Sequence, residues 1–455
     1  MEIQHKRSWS YRIVRPERLL ALGFLIIILL GGLILAMPVS GSGGRCAGLM
    51  KGMFTATSAV CVTGLTIMDA GTQLSTFGQA VLLVLIQIGG LGFMTFATLI
   101  MVTLGKRLTL RGRVVLRDSM NQTTLGGTVR LSLHFLFLTL IIEAGGALLL
   151  MLRLIPLYGV KKGAWYSYFT AVSAFCNAGF DVFGGWRSLT HMSHDPLFLL
   201  VICVLIVLGG LGFTVILECL QHRLRFHRLS LHARLVLLLT GILILSGTLL
   251  FWLTEYQSEP FKNMPWHVRL INSLFQAVTL RTAGFASVEQ AELSDSGKLL
   301  GCVYMLIGAS PASTGGGIKT TTVLMLVVLV LDVVRGREHI QLLGREIPQD
   351  TARRSMAIAF IGLLLVLSAV VLISIFERGS GIPTIDLLYE VVSAFSTTGL
   401  SSANTPSLRP ASQCLLMPLM YLGRVGPLTL AFALAQHSGE AAARIRFPEE
   451  KIMIG

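Results

Sequence analysis

The chain has 455 residues, 53% of them hydrophobic and 13% charged, a mean hydropathy of +0.73 and a formal net charge of +14. Soluble domains carry about 25% charged residues, so this composition excludes an ordinary water-soluble globular protein and points to the bilayer. The basic excess is not a nucleic-acid footprint: 23 of the 37 Lys and Arg fall in residues 1–18, 104–130, 220–235, 334–354 and 440–455, and 11 in the alternate connections. That asymmetry marks the first five segments and both termini as cytoplasmic.

After a cytoplasmic N-terminus, 1–18, the apolar run 19–37 is long enough to span and lacks a small-residue cleavage site, so it reads as a retained helix. Further apolar runs follow at 131–152, 196–217, 235–253 and 357–376. Between the long runs lie shorter amphipathic stretches, 50–60, 165–175, 267–280 and 387–395, each too short to span. Every one of them leads into a small-residue segment ending in glycine: AVCVTGL (59–65), AFCNAGF (174–180), LRTAGF (280–285) and AFSTTGL (394–400). The glycines Gly64, Gly179, Gly284 and Gly399 are separated by 115, 105 and 115 residues. A second glycine motif follows each one 24 to 30 residues on: IGGLGF (88–93), LGGLGF (208–213), IGASPA (307–312) and LGRVGP (422–427).

Periodicity of this kind marks internal repeats. The expected fold is an all-α membrane protein of four tandem helix–pore loop–helix repeats around one pseudo-fourfold pore, with eight transmembrane helices and four re-entrant pore helices. Repeat 1 spans 19–110, repeat 2 111–228, repeat 3 229–340 with a broken second helix, and repeat 4 341–438; 439–455 is a cytoplasmic C-terminus. Non-helical backbone at membrane depth must face protein or a water-filled cavity, which four loops satisfy by surrounding a common axis.

Such loops suit a monovalent cation. A potassium filter replaces hydration water with backbone carbonyls, and glycine makes the required turns cheap. The candidate filter residues are Val62, Thr63 and Gly64; Asn177, Ala178 and Gly179; Thr282, Ala283 and Gly284; Thr397, Thr398 and Gly399. With one glycine per loop, few well-defined ion sites are expected. An ordinary glycine-capped helix end explains one such segment, but not four at a fixed period.

The second helix of repeat 3 is interrupted by GASPASTGGGIKTTT (308–322), where a proline and three glycines break the apolar stretch. Ser313, Thr314, Gly315, Gly316, Gly317 and Lys319 are candidate gate residues. The segment is not a nucleotide P-loop, because Ile318 separates Gly317 from Lys319. Arg424 aligns with Gly90, Gly210 and Ala309 of the other repeats, where small residues leave it room near the axis. There it either repels cations below the filter or holds the gate loop through backbone carbonyls. Lys319 is expected either to snorkel to the cytoplasmic surface or to contact the gate loop. Arg281 is expected to point behind its loop toward a buried carboxylate, with Glu390 as partner. Glu143 lies in an apolar helix, and the sequence names no partner for it.

The seven cysteines show neither metal-ligand spacing nor a disulfide framework. No nucleophile elbow, HExxH or cofactor frame suggests an enzyme, and no organic cofactor is expected. The competing class is a secondary carrier coupled to Na+ or H+; its inverted repeats contrast with the parallel repeats read here.

TATSAVCVTGL (55–65), AVSAFCNAGF (171–180), AVTLRTAGF (277–285), VVSAFSTTGL (391–400), SPASTGGGIKTTT (310–322), GRVGPLTL (423–430) and FPEEKIMIG (447–455) together resemble the Ktr/Trk/HKT superfamily of potassium transporters. The likeness covers essentially the whole chain and fits the short form without extra N-terminal helices. It implies K+ uptake, often Na+-stimulated, by a homodimer in the bacterial inner membrane, with one pore per subunit. It also implies a partner ring of cytoplasmic RCK-type nucleotide-binding subunits that controls opening. In such proteins the segment matching 308–322 gates flux, and the arginine matching Arg424 lies just below the filter.

Overall fold

The structure, a computed structural model, describes residues 16–92, 128–336 except 224 and 263, 340–342, 345–426 and 429. The expected N-terminus up to residue 15, the basic connection 104–127, the C-terminus 439–455, part of GRVGPLTL and all of FPEEKIMIG lie outside these residues.

The helices come in four consecutive sets. The first holds α1 (Pro16–Ala36), α2 (Leu49–Cys61) and α3 (Thr76–Leu91). The second holds α4 (Thr128–Tyr158), α5 (Val160–Phe175), α6 (Pro196–Leu211) and α7 (Phe213–Gln221). The third holds α8 (Leu231–Thr254), α9 (Trp266–Thr279), α10 (Asp295–Leu306) and α11 (Thr320–Val334). The fourth holds α12 (Gln349–Phe376), α13 (Thr384–Ser396) and α14 (Pro410–Val425). Among the described residues the only sheet is a two-stranded hairpin, Gln341–Leu342 against Arg345–Glu346, between the third and fourth sets.

α1, α4, α8 and α12 are long and apolar enough to cross a membrane. Their outward residues, such as Leu25, Ile141, Leu245 and Leu364, are exposed, which is stable only against lipid. The later helices of each set are shorter. The 16 residues of α3, α6 and α14 rise about 24 Å against a hydrocarbon core of about 30 Å. Each stops at a left-handed glycine: Gly92, Gly212 and Gly426, with φ of 83°, 95° and 91°. The run 196–217, expected as one span, is therefore broken, and α6 and α7 meet at 98°. The reason lies in the third set: the Phe213 amide leaves the helical ladder and donates to the Ala312 carbonyl at 3.0 Å.

Starts are fixed by caps. Ser75, Asp195 and Ser294 each accept a hydrogen bond from an amide in the first turn of α3, α6 and α10. The same corners clasp the end of the preceding long helix or the residues just beyond it. The Ser75 hydroxyl donates to the Val39 carbonyl, Arg153 pairs with Asp195 at 2.6 Å, and Glu255 accepts from the Ser294 amide and hydroxyl. Glu377 accepts from the Arg409 amide and the Ser412 hydroxyl. Three different chemistries thus make one kind of joint at four places.

The sets close into a ring. α3 packs on α5, α6 on α9, α10 on α13, and α14 back on α2, so each short helix lies between its own set and the one before. The short helices carry the deepest core, with Phe54, Phe169, Phe275 and Tyr389 fully buried.

Candidate functional site

α2, α5, α9 and α13 all end with the same backbone manoeuvre. The residue two before each glycine is left-handed: Val62, Asn177, Thr282 and Thr397, with φ of 56°, 58°, 67° and 54°. In three loops the turn is closed by a pair of amide bonds. Val62 reaches the Ala59 carbonyl and Thr63 the Ser58 carbonyl; Asn177 and Ala178 reach Ala174 and Ser173; Thr397 and Thr398 reach Ala394 and Ser393. This is a Schellman-type cap, and its left-handed residue is not the glycine. In the third loop the Ala283 amide turns back to Thr279 instead. Asn tolerates the left-handed region, but Val and Thr are strained there, and such strain collects at functional sites.

The four glycines then meet. A methyl group built on Gly64 would lie 2.7 Å from the Ala178 carbonyl oxygen and 3.2 Å from the Gly179 Cα. On Gly179 it would lie 2.8 Å from the Ala283 oxygen and 2.9 Å from the Gly284 Cα. On Gly284 it would strike the Thr398 oxygen, and on Gly399 the Thr63 oxygen, 2.8 Å from the Gly64 Cα. The contacts run through the repeats in cyclic order and close. The carbonyl oxygens of Thr63, Ala178, Ala283 and Thr398 thus each lie against the glycine of a neighbouring loop. The residues carrying them are wholly buried, as are Val62, Asn177, Thr282 and Thr397.

Beneath the ring, at the ends of the short helices, lies the loop between α10 and α11. Its base is closed by the Gly308 amide on the Ile318 carbonyl at 2.9 Å. Its backbone is shared among the other repeats: Ser310 and Thr314 donate to the Gly210 and Gly209 carbonyls, and Gly317 to the Gly423 carbonyl. The Thr314 hydroxyl donates to Phe175, the last residue of α5, at 3.2 Å, and the Ser313 hydroxyl to the Ser310 carbonyl at 2.6 Å. Methyl groups on Gly315 and Gly316 would strike the hydroxyls of Thr282 and Thr397, and one on Gly317 would lie 3.1 Å from the Ser396 Cα. The loop thus lies directly against the third and fourth glycine loops.

Two cations secure it. The Arg424 guanidinium donates to the carbonyls of Thr314 and Gly89, with Gly90 at 3.4 Å. It ties the first, third and fourth repeats. These contacts are those that a hold on the loop through backbone carbonyls requires, and cation repulsion, the other role the sequence leaves open for Arg424, is compatible with them. Lys319 donates to the Gly315 carbonyl at 2.6 Å; of its two expected placements it takes the contact with the loop and does not snorkel away.

Of the other buried charges, Arg281 departs from expectation in its partner. Arg281 does point behind its loop, but Glu390 is not its partner: its guanidinium donates to the Thr240 hydroxyl at 3.3 Å. Glu390 is already satisfied by the hydroxyls of Ser401 and Thr405, two donors on the segment that leaves the fourth glycine. Glu143 accepts from the Gln87 amide at 3.1 Å and faces the Cys176 thiol at 3.7 Å, on the cap of α5. Neither partner has a sequence signal, because both come from other helices.

Known proteins resemble this chain over nearly its whole length. The model of the TrkH family, described as cation transport protein, matches residues 36–442. The potassium/sodium uptake protein NtpJ of Enterococcus hirae is 37% identical over 443 residues, 97% of each chain. The Ktr system potassium uptake protein B of Bacillus subtilis is 37% identical over the full length of both. The crystal structure of the potassium transporter TrkH from Vibrio parahaemolyticus superposes with a TM-score of 0.70 at 18% identity, covering 94% of this chain and 87% of that one.

Proposed function

Since the chain belongs to the TrkH family of cation transport proteins, we propose that it takes up K+ through the axis encircled by its four glycine loops. The observation supporting this reading is the closed ring of contacts from Gly64 through Gly179, Gly284 and Gly399. Four inward carbonyls replace hydration water around one ion, and the C-terminal dipole ends of four short helices favour positive charge there. The full proposed architecture has eight spans and four re-entrant helices, divided at the boundaries given above, with cytoplasmic termini in the bacterial inner membrane.

The loop 308–319 is the gate in this reading. Its buried glycines obstruct the axis below the ring, and Arg424 and Lys319 place two positive charges against it, opposing cation passage while it is closed. Uptake is controlled by a separate cytoplasmic RCK-type subunit, stimulated by Na+, and carried by a homodimer. Relatives named as parts of a Ktr system support a multicomponent assembly.

Growth of an uptake-deficient bacterium at limiting K+ tests the reading. Expression of this chain should restore growth, more strongly with an RCK partner. Failure to restore K+-dependent growth from a membrane-inserted protein, with and without the partner, would refute it.

A further inference from the structure

Two hydroxyls on the deep face of the ring have no role in a filter made of carbonyls. Thr282 and Thr397 hold the same position in neighbouring loops, and both are wholly buried. Among the described residues neither Oγ1 has a hydrogen-bond partner, so each carries an uncompensated desolvation penalty. Both aim at one place, the backbone of the consecutive residues Gly315 and Gly316, where a Cβ would strike them. Asn177 stands at the same position in the second loop. With its amide nitrogen donating to the Ala174 and Ile206 carbonyls, at 3.1 and 3.2 Å, its oxygen turns toward Gly210 beside the gate loop.

We infer that Thr282, Thr397 and Asn177 form a second cation site beneath the carbonyl ring, occupied by the Gly315–Gly316 backbone when the gate is closed and by the permeating cation when it withdraws. The site presupposes the carbonyl filter proposed above and deepens it. Its oxygens are neutral, two hydroxyls and an amide. Neutral dipoles suit a partly dehydrated monovalent cation, whereas a divalent one calls for carboxylates. Val62 contributes no oxygen, so the fourth side is left to water or to the ion's remaining hydration. The site also explains why positions 315 and 316 are both glycine: only backbone without Cβ fits against the two hydroxyls.

The test is anomalous diffraction from Rb+-soaked crystals of the protein lacking Thr314–Gly317, with and without the pair Thr282→Val and Thr397→Val. Valine keeps the β-branched shape and removes only the oxygen. Two axial peaks are expected in the parent, one at the oxygens of Thr63, Ala178, Ala283 and Thr398 and one below. The valine pair should lose the lower peak and keep the upper. In vesicles, the full-length chain with the same valines should need about tenfold more Rb+ for half-maximal uptake, with Thr→Ser at both positions restoring the parent value. A lower peak that survives the valines, a parent with the upper peak alone, or an unchanged half-saturation would overturn the second site and leave the filter standing. Absence of both peaks would overturn the filter as well.

Discussion

At Gly64 a side chain fails twice: φ is +99°, and a Cβ would lie 2.7 Å from the Ala178 oxygen of the next loop. The chain can relieve that contact only by opening the ring, so Gly64→Ala should cut the K+/Na+ uptake ratio about tenfold while protein level stays unchanged. An unchanged ratio would remove the ring from the selectivity mechanism. Asp181 lies two residues beyond Gly179 and accepts from the Phe183 amide at 3.1 Å. Burial, and then the Asp69 carboxylate, push its carboxyl up to about 6 against the opposing effect of the Phe183 and Gly184 amides. The folded protein therefore holds this proton more tightly than the unfolded chain does. The group's stabilising contribution is complete below its ordinary value near 3.8 and is lost as pH rises through about 6. In the proposed orientation Asp181 lies at the outer entrance, and protonation over the same range removes a negative charge there. K+ uptake should fall as external pH drops through about 6, and Asp181→Asn should flatten that dependence. A variant with the parent pH profile would assign the titration elsewhere.

Among the elements, the loop 308–319, the gate in the proposed reading, has the most divided loyalties, with backbone or side-chain bonds to Phe175, Gly209, Gly210 and Gly423 and a clamp from Arg424. Deleting Thr314–Gly317 removes the obstruction and the Arg424 anchor together. It should raise K+ flux several-fold and reduce dependence on a regulatory subunit; lower flux from a folded, membrane-inserted deletion would assign the loop a structural role. Arg424→Gln should act in the same direction more weakly, because the neutral amide lacks a fork able to bridge Thr314 and Gly89.

These elements are readable in the sequence to different degrees. Short helices expected at 50–60, 165–175, 267–280 and 387–395 fold as Leu49–Cys61, Val160–Phe175, Trp266–Thr279 and Thr384–Ser396. The period of the glycine motifs identifies them as equivalent, and equivalent elements close on one axis. What stays hidden depends on contacts between distant segments. The break at Gly212 needs the Ala312 carbonyl, Arg281 finds Thr240, and Glu143 finds Gln87 and Cys176. The left-handed residues before the glycines are also hidden, since Val62, Thr282 and Thr397 belong to types that propensity places in extended chain.

Over the whole molecule, the ring holds only if every junction between repeats does. The third and fourth repeats are joined by a salt bridge of different character from the exposed pairs elsewhere: Lys298 on α10 lies 2.7 Å from Asp386 on α13, with side-chain exposures of 7% and 11%. Asp386 also accepts from the Ser402 hydroxyl beyond the fourth glycine, so the pair reaches from one repeat's second helix to the segment that follows the next repeat's glycine loop. Two charges removed from water gain little net energy from each other, but a lone one left behind is costly. Lys298→Met should therefore destabilise the protein by about 3 kcal/mol, seen as a lower unfolding midpoint in detergent. Adding Asp386→Leu removes the stranded carboxylate and should recover most of that loss. Recovery of stability need not restore selectivity, because the double variant still lacks the link from α10 to the segment carrying Ser402. A double variant as unstable as Lys298→Met alone would mean that packing at this junction, rather than the unpaired charge, sets the cost.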